Sequence, residues 1–410
     1  MPRSDRQRGR RRLGAGALGR ETRCPPVASP GGSAPNVARV SATWILRLDA
    51  PGRGPRVAIK DLIDVLGTPT TAGCRVLARQ AAPATDDAAC LAGLRAADVA
   101  IVGKANLHEL ACGGTGVNPH FGTPANPFDP ACLPGGSSSG SAVALADGEV
   151  DVALGSDTAG SIRNPSACCG TAGLKTTWGR IPLEGVWPLA PSLDTIGPMA
   201  RDVAGVIGGM ALLEPGFAAA PDPSPVIGRV RIPDVDPAID AAVDAALAAS
   251  GLDVVEIELP GWDVATEAGR VVMFHELWVV DHHLYEADVA GLGHDIVERM
   301  EQGRGITPTA YRAARTHRAA WRDELAAAFE RAPVLAWPTI AMFPPRIDDP
   351  VPNTRRTNLA VNHAGHPSLA LPVPSGRRFP ASVQLVGPDQ AEDLLCATGL
   401  VVESAARSLA

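Results

Sequence analysis

From residue 56 to the C-terminus, strand-like and helix-like runs alternate, and this constrains the fold more than any other feature. Apolar runs at Arg56–Ile59, Val99–Val102, Val226–Ile232, Val254–Leu259, Val334–Trp337, Ser368–Leu371 and Ser382–Val386 read as strands. Helical spacing covers Asp86–Ala97, Arg201–Leu213, Ile239–Ala249, Pro308–Arg331 and Ala391–Ala406. Asp86 or Asp87 is the expected start of the first helix, and Pro215 stops the second. Residues 214–225, rich in Pro and Ala, read as a linker or long loop, and Gly261–Tyr311 as irregular to helical. Such alternation predicts an α/β fold: a mixed sheet covered by helices on both faces. No internal repeat is visible.

Charge narrows the partners. The net charge is −7, but residues 1–40 carry nine Arg against Asp5 and Glu21, which leaves −14 on the rest. An acidic body argues against nucleic acid or an anionic membrane as the main partner. Residues 1–40 are rich in Arg, Gly, Pro and Ser without apolar periodicity, and read as a disordered or mis-started tail. Arg10–Arg12 precede an apolar run, Leu13–Gly19, that is too short and Gly-rich for an export signal. No run of about 18 apolar residues exists to span a membrane. The eight cysteines (24, 74, 90, 112, 132, 168, 169, 396) lack zinc-site spacing. Reduced thiols and a cytoplasmic location are the simple reading.

Residues 134–163, PGGSSSGSAVALADGEVDVALGSDTAGSIR, carry the chemistry. Gly/Ser clusters at 135–141 and 155–161 flank a helix-like run, Ser141–Asp147, and a strand-like run, Asp151–Leu154. Two such loops suggest one meeting place. Glycine permits close backbone approach, and successive N–H groups form an anion-binding concavity. A serine held against such donors is what acyl transfer needs. Of 37 cationic Lys and Arg residues, only Lys60, Lys104 and Lys175 are lysines. Lysine can give up its proton in a protein and arginine effectively cannot, so each is a candidate base. Gly136–Gly140 fits the G-x-S-x-G elbow, but Asn126–Pro134 holds three prolines and no strand pattern ahead of it. No P-loop is present, and His282, His283, His294, His363 and His366 lack metal-site spacing.

Longer segments resemble the amidase signature family: VAIKDLIDVLGTPTTAG (57–73), GKANLHELACGGTGVNPHFGTPANP (103–127), PGGSSSGSA (134–142), ALGSDTAGSIRNPSACCG (153–170) and GLKTTWGRIP (173–182). The likeness runs through SLDTIGPMARDVA (192–204) and returns more weakly at AWPTI (336–340), NHAGHPSLALP (362–372) and ASVQLVG (381–387). It implies one amidase domain over 41–410, with a core signature at 56–213 and a variable, substrate-shaping region at about 220–345. The resemblance implies a Ser-Ser-Lys triad. The family's K-D-L lysine falls on Lys60, its serine on a cis peptide bond on Ser137, and its G-S-I-R nucleophile on Ser161. Backbone N–H groups of Thr158, Ala159, Gly160 and Ser161 are the implied oxyanion hole. Ala159 departs from the family's second glycine; if that position needs positive φ, alanine costs on the order of 1 kcal/mol.

A serine hydroxyl needs an adjacent base. Burial that lowers the lysine pKa would make Lys60 that base, with Ser137 relaying the proton. Asp157 and Arg163 are expected to brace the nucleophile loop, and Lys104 and Lys175 to pair structurally. The expected activity is hydrolysis of a small-molecule amide through an acyl-enzyme, without cofactor or metal. A homodimer is left open. The alternative is the glutaminase (A-type) subunit of a tRNA-dependent amidotransferase, which the short, divergent 220–330 region and the GGSSSGS loop disfavour. The intact Lys60, Ser137 and Ser161 set argues against a non-enzymatic scaffold.

Overall fold

The computed structural model describes residues 42–49, 52–349 and 357–409; the expected tail at 1–40, with Cys24, lies outside them. In chain order the strands are β1 (Trp44–Arg47), β2 (Arg56–Lys60), β3 (Ala100–Ala105), β4 (Val152–Ser156), β5 (Ala172–Lys175) and β6 (Ile196–Ala200). They continue with β7 (Val226–Val230), β8 (Asp253–Ile257), β9 (Val334–Pro338), β10 (Ser368–Val373) and β11 (Ala381–Val386). All join one mixed sheet in the order β1-β3-β2-β4-β6-β5-β10-β11-β9-β7-β8. β2 runs parallel to both β3 and β4, and β7 parallel to β8 and β9; the remaining pairs are antiparallel. Every residue of β4, β6 and β11 is buried, so helices cover both faces of the sheet centre. The single α/β domain with a mixed sheet stands as read from the sequence.

Helix starts follow local chemistry. Pro308–Arg331 opens on Thr307, whose hydroxyl accepts from Ala310 N at 3.2 Å, with Pro308 just inside. Pro237–Ala249 begins two residues before its expected start, because Asp236 caps it and Pro237 occupies the first turn. Asp86–Ala97 is not one helix. Asp87 accepts from Leu66 N and pairs with Arg95, so only a 3₁₀ turn (Ala89–Leu91) and a short helix (Ala92–Ala96) form. Gly261–Tyr311 is more regular than its sequence reads, holding a 27-residue helix, Trp262–Asp288, and a second, His294–Arg304. The 214–225 loop is tied to the Glu392–Arg407 helix by Ala220 N to Asp393 O and Ser224 N to Thr398 Oγ1. It is a packed connection within the domain.

Three strands, β1, β5 and β6, have no counterpart in the sequence reading. β6 is Ile-Gly-Pro-Met-Ala, and Gly-Pro normally marks a turn. Here Pro198 stands opposite Leu154 in the sheet centre. Burial of Ile196, Met199 and Ala200 without solvent exposure overrides the local signal.

Candidate active site

Parallel pairing of β2 with β4 sets the base of the site. Ile59 stands beside Leu154, so Lys60 and Ser156 leave neighbouring strands at the same edge, where carboxyl ends of parallel strands host ligands. Lys60 Nζ donates to Ser137 Oγ at 2.7 Å and to Ser156 Oγ at 2.8 Å. Lys60 and Ser137 are fully buried, while Ser161 keeps 6% of its surface exposed. The peptide bond between Gly136 and Ser137 is cis. Burial pushes the Lys60 ammonium down to about 7, against the upward pull of Asp157 and Asp194. An amine poised there is neutral often enough to accept a proton near pH 7.

The two Gly/Ser loops do meet. Ser138 N donates to Ser161 O at 3.1 Å, and Asn164 Nδ2 donates to Gly136 O at 3.1 Å and Gly114 O at 2.7 Å. The Ser139–Ala146 helix follows one loop and the Arg163–Cys169 helix the other. No strand lies between Ala105 and Ser139, so the loop is no hydrolase elbow.

Asp157 organises the turn ahead of Ser161. Its carboxylate accepts from Gly160 N at 2.7 Å, Ile162 N at 3.2 Å and the Arg163 guanidinium at 3.0 Å through both Nε and Nη2. Burial, the largest single influence, would raise its pKa, but the Arg163 charge and hydrogen bonds, the Lys175 charge and the Asn362 hydrogen bond together hold it well below the usual carboxylate range. Arg163 also reaches Gln384 and Asn362 from distant segments. The bracing role read for Asp157 and Arg163 has this geometry.

The expected oxyanion donors need one correction. The Gly160 amide is engaged by Asp157 and is not available to a substrate. The N–H groups of Thr158, Ala159 and Ser161 have no partner among the described residues. Positive φ falls on Gly160, at +108°, and not on Ala159, so alanine at 159 carries no left-handed strain. A Cβ at 160 would lie 2.7 Å from the Asn358 Cβ, which restricts that position to glycine.

The other two lysines are held elsewhere. Lys104 pairs with Asp61 at 3.1 Å, both fully buried. Burial lowers the Lys175 pKa to about 7 as well, but its ammonium donates to the carbonyls of Thr176 (2.9 Å) and His366 (2.8 Å) and meets no hydroxyl. The histidines do not assemble: His282 and His283 bond carbonyls of their own helix, and His366 bonds Asp389. Among the described residues no three His, Cys, Asp or Glu side chains converge on a metal position. No described helix is long and apolar enough to cross a membrane. Ser156 was missed from sequence. It lies inside a strand-to-loop Gly-Ser-Asp run, and only the β2/β4 register shows what it faces.

Comparison with known proteins decides the family. The family model described as Amidase matches residues 53–214 and 221–396. The chain belongs to the amidase family. It is thus an enzyme of a family of carbon–nitrogen hydrolases. It is 35% identical to 2-amino-5-chloromuconic acid deaminase of Comamonas testosteroni, covering 86% of this chain and 82% of that protein. It is 34% identical to the A-type subunit of glutamyl-tRNA(Gln) amidotransferase of Halobacterium salinarum, covering 87% and 96%. A crystal structure of an amidase superposes with a TM-score of 0.78 at 28% identity, covering 86% of each chain. The amidase-family match spans both halves of the sheet and takes in Lys60, Ser137, Ser156 and Ser161.

Proposed function

We propose that this chain hydrolyses a carboxylic amide with Lys60, Ser137 and Ser161, passing through an acyl-enzyme and releasing ammonia or an amine. The observation that carries the reading is the fully buried Lys60 amine 2.7 Å from the Ser137 hydroxyl. Neutral Lys60 takes the Ser137 proton as Ser137 takes that of Ser161. The Ser161 oxygen attacks the amide carbon, and the resulting oxyanion meets the N–H groups of Thr158, Ala159 and Ser161. The proton returns through Ser137 to the leaving nitrogen, the carbon–nitrogen bond breaks, and water repeats the sequence to free the acid. Arg163 holds Asp157, and Asp157 holds the turn. The seven described cysteines form no disulfide and are buried, in keeping with a cytoplasmic enzyme.

A second reading has its own support. The relative from Halobacterium salinarum is one chain of an amidotransferase, and this chain matches it over 87% of its own length. On that reading the same residues would release ammonia from glutamine within a complex. One experiment separates the outcomes: purified protein is assayed on a panel of amides and on glutamine, beside Ser161→Ala. Turnover of simple amides by the chain alone, with an acyl adduct by mass spectrometry that Ser161→Ala lacks, supports the first reading. Activity confined to glutamine, or dependent on added partner chains, supports the second. Full turnover by Ser161→Ala would refute both.

A further inference from the structure

A cavity of about 250 Å³ opens beside the nucleophile. Its apolar wall consists of Leu62, Leu183, Val186, Trp187, Leu189 and Ile196. Ala111 and Leu189 line both this cavity and the narrow space over Ser161, so the two adjoin across these residues. The nucleophile space itself is tight, walled by Cys112, Gly113, Gly114, Ala159 and Met273. A substrate larger than a bare amide must place its bulk elsewhere, and this cavity adjoins.

Polar side chains in the cavity wall are already matched, and the Thr158 N–H, a backbone donor of this lining, is assigned to the oxyanion. Ser156 Oγ accepts from Lys60, Thr158 Oγ1 donates to Asp194 Oδ1 at 2.6 Å, and Asp194 Oδ2 accepts from Leu189 N and Ala190 N at 2.9 and 3.0 Å. A charged substituent entering would find no free partner and lose its hydration. An apolar one would leave water at no such cost. The volume suits one ring: a cavity of about 150 Å³ lined by aliphatic and aromatic side chains holds benzene.

The loop that closes the cavity is held in place from several sides. Trp187 N donates to Leu62 O at 2.8 Å, Asp64 N to Gly185 O at 2.9 Å and Ala89 N to Glu184 O at 2.9 Å. The Trp187 indole N–H reaches Asp281 Oδ1, on the Trp262–Asp288 helix, at 3.2 Å. The wall is therefore preformed, and a preformed wall discriminates by size.

We propose that this cavity receives a ring-sized apolar group of the amide substrate and sets the enzyme's preference for it. The inference rests on the reading of Ser161 as nucleophile, and it disfavours glutamine, whose charged end has no partner in this wall.

The test fills the cavity at its half-buried rim with Val186→Phe and, separately, Leu183→Phe, each checked for folding by thermal melting. Benzamide, phenylacetamide and acetamide are assayed with wild type and both variants. A pocket contact of this size changes specificity by about 10- to 200-fold. The kcat/KM ratio of the ring-bearing amides to acetamide should fall at least about tenfold. A ratio within about twofold of wild type in either folded variant overturns the proposal. Benzamide binding by calorimetry to Ser161→Ala, with and without Val186→Phe, reads the cavity independently of catalysis. If wild type cleaves no amide yet benzamide binds and Val186→Phe abolishes the binding, the catalytic reading fails and the cavity assignment holds. If amides are cleaved and Val186→Phe changes neither selectivity nor binding, the cavity assignment fails alone.

Discussion

Replacing Ser156 by alanine should move the acid limb of the pH profile downward while leaving the enzyme active. The Lys60 ammonium donates to two hydroxyl oxygens, Ser137 at 2.7 Å and Ser156 at 2.8 Å. A hydrogen bond from a charged donor is worth about 1.5–3 kcal/mol, and the neutral amine keeps part of it. The differential loss on deleting Ser156 Oγ is then about 1–2 kcal/mol, and about 1.4 kcal/mol corresponds to one pKa unit. The sign follows from which form is stabilised. Removing an acceptor penalises the ammonium, so the Lys60 pKa falls from about 7 by roughly one unit. Since the neutral amine is the active base, kcat/KM should begin to rise about one pH unit earlier than in wild type. Above the limb the loss should be only severalfold, because Ser137 still contacts the amine. The assay is kcat/KM against pH for one amide, read as the apparent pKa of the coupled set. An unmoved or raised acid limb, in a variant that melts like wild type, would refute Lys60 as the titrating base.

Lys60→Arg should lose activity nearly as fully as Lys60→Ala, by about 10²-fold or more, since arginine keeps the charge but not the ability to give up a proton; near-normal steady-state turnover by the folded variant would show a merely structural cation. Arg163→Met should destabilise the fold by about 3–5 kcal/mol, because it leaves the buried Asp157 carboxylate uncompensated; chemical denaturation measures this, and a loss below about 1 kcal/mol would contradict the bracing role. Turnover should survive dialysis against EDTA, and recovery only on adding a divalent ion would overturn the serine mechanism. Gly160→Ala should cut kcat severely, given φ of +108° and a Cβ contact of 2.7 Å with Asn358; steady-state kinetics near wild type would show that the turn relaxes.

Much of the site is legible from sequence because it is built from local runs. Gly-Gly-Ser and Asp-Thr-Ala-Gly-Ser-Ile-Arg each fold into one loop, so the order of residues already places hydroxyl, amides and glycine together. The long Pro308–Arg331 helix is likewise local, since its cap and its period lie within it. The reading falters where a partner lies far along the chain. β6 was hidden because its Gly-Pro pair signals a turn, and only pairing with β4 makes it a strand. The Gly160 amide is a different case: its partner, Asp157, is only three residues earlier, but the turn that brings the carboxylate back onto it is not written in the residue types.

By itself the sequence determined the α/β alternation, the two loops and the short list of residues able to do the chemistry. Its scarcity of lysine made Lys60, Lys104 and Lys175 candidates, and the family resemblance pointed to Lys60. The tertiary structure supplies the physical reason for that choice. All three are buried, but Lys104 pairs with the Asp61 carboxylate besides the Thr70 hydroxyl, Lys175 meets carbonyls, and Lys60 meets two serine hydroxyls with no carboxylate in contact among the described residues. Those hydroxyls come from positions 77 and 96 residues away. No local pattern encodes such a meeting; the parallel register of β2 on β4 and the crossing of two loops do, and these exist only once the sheet has formed and excluded water from around the amine.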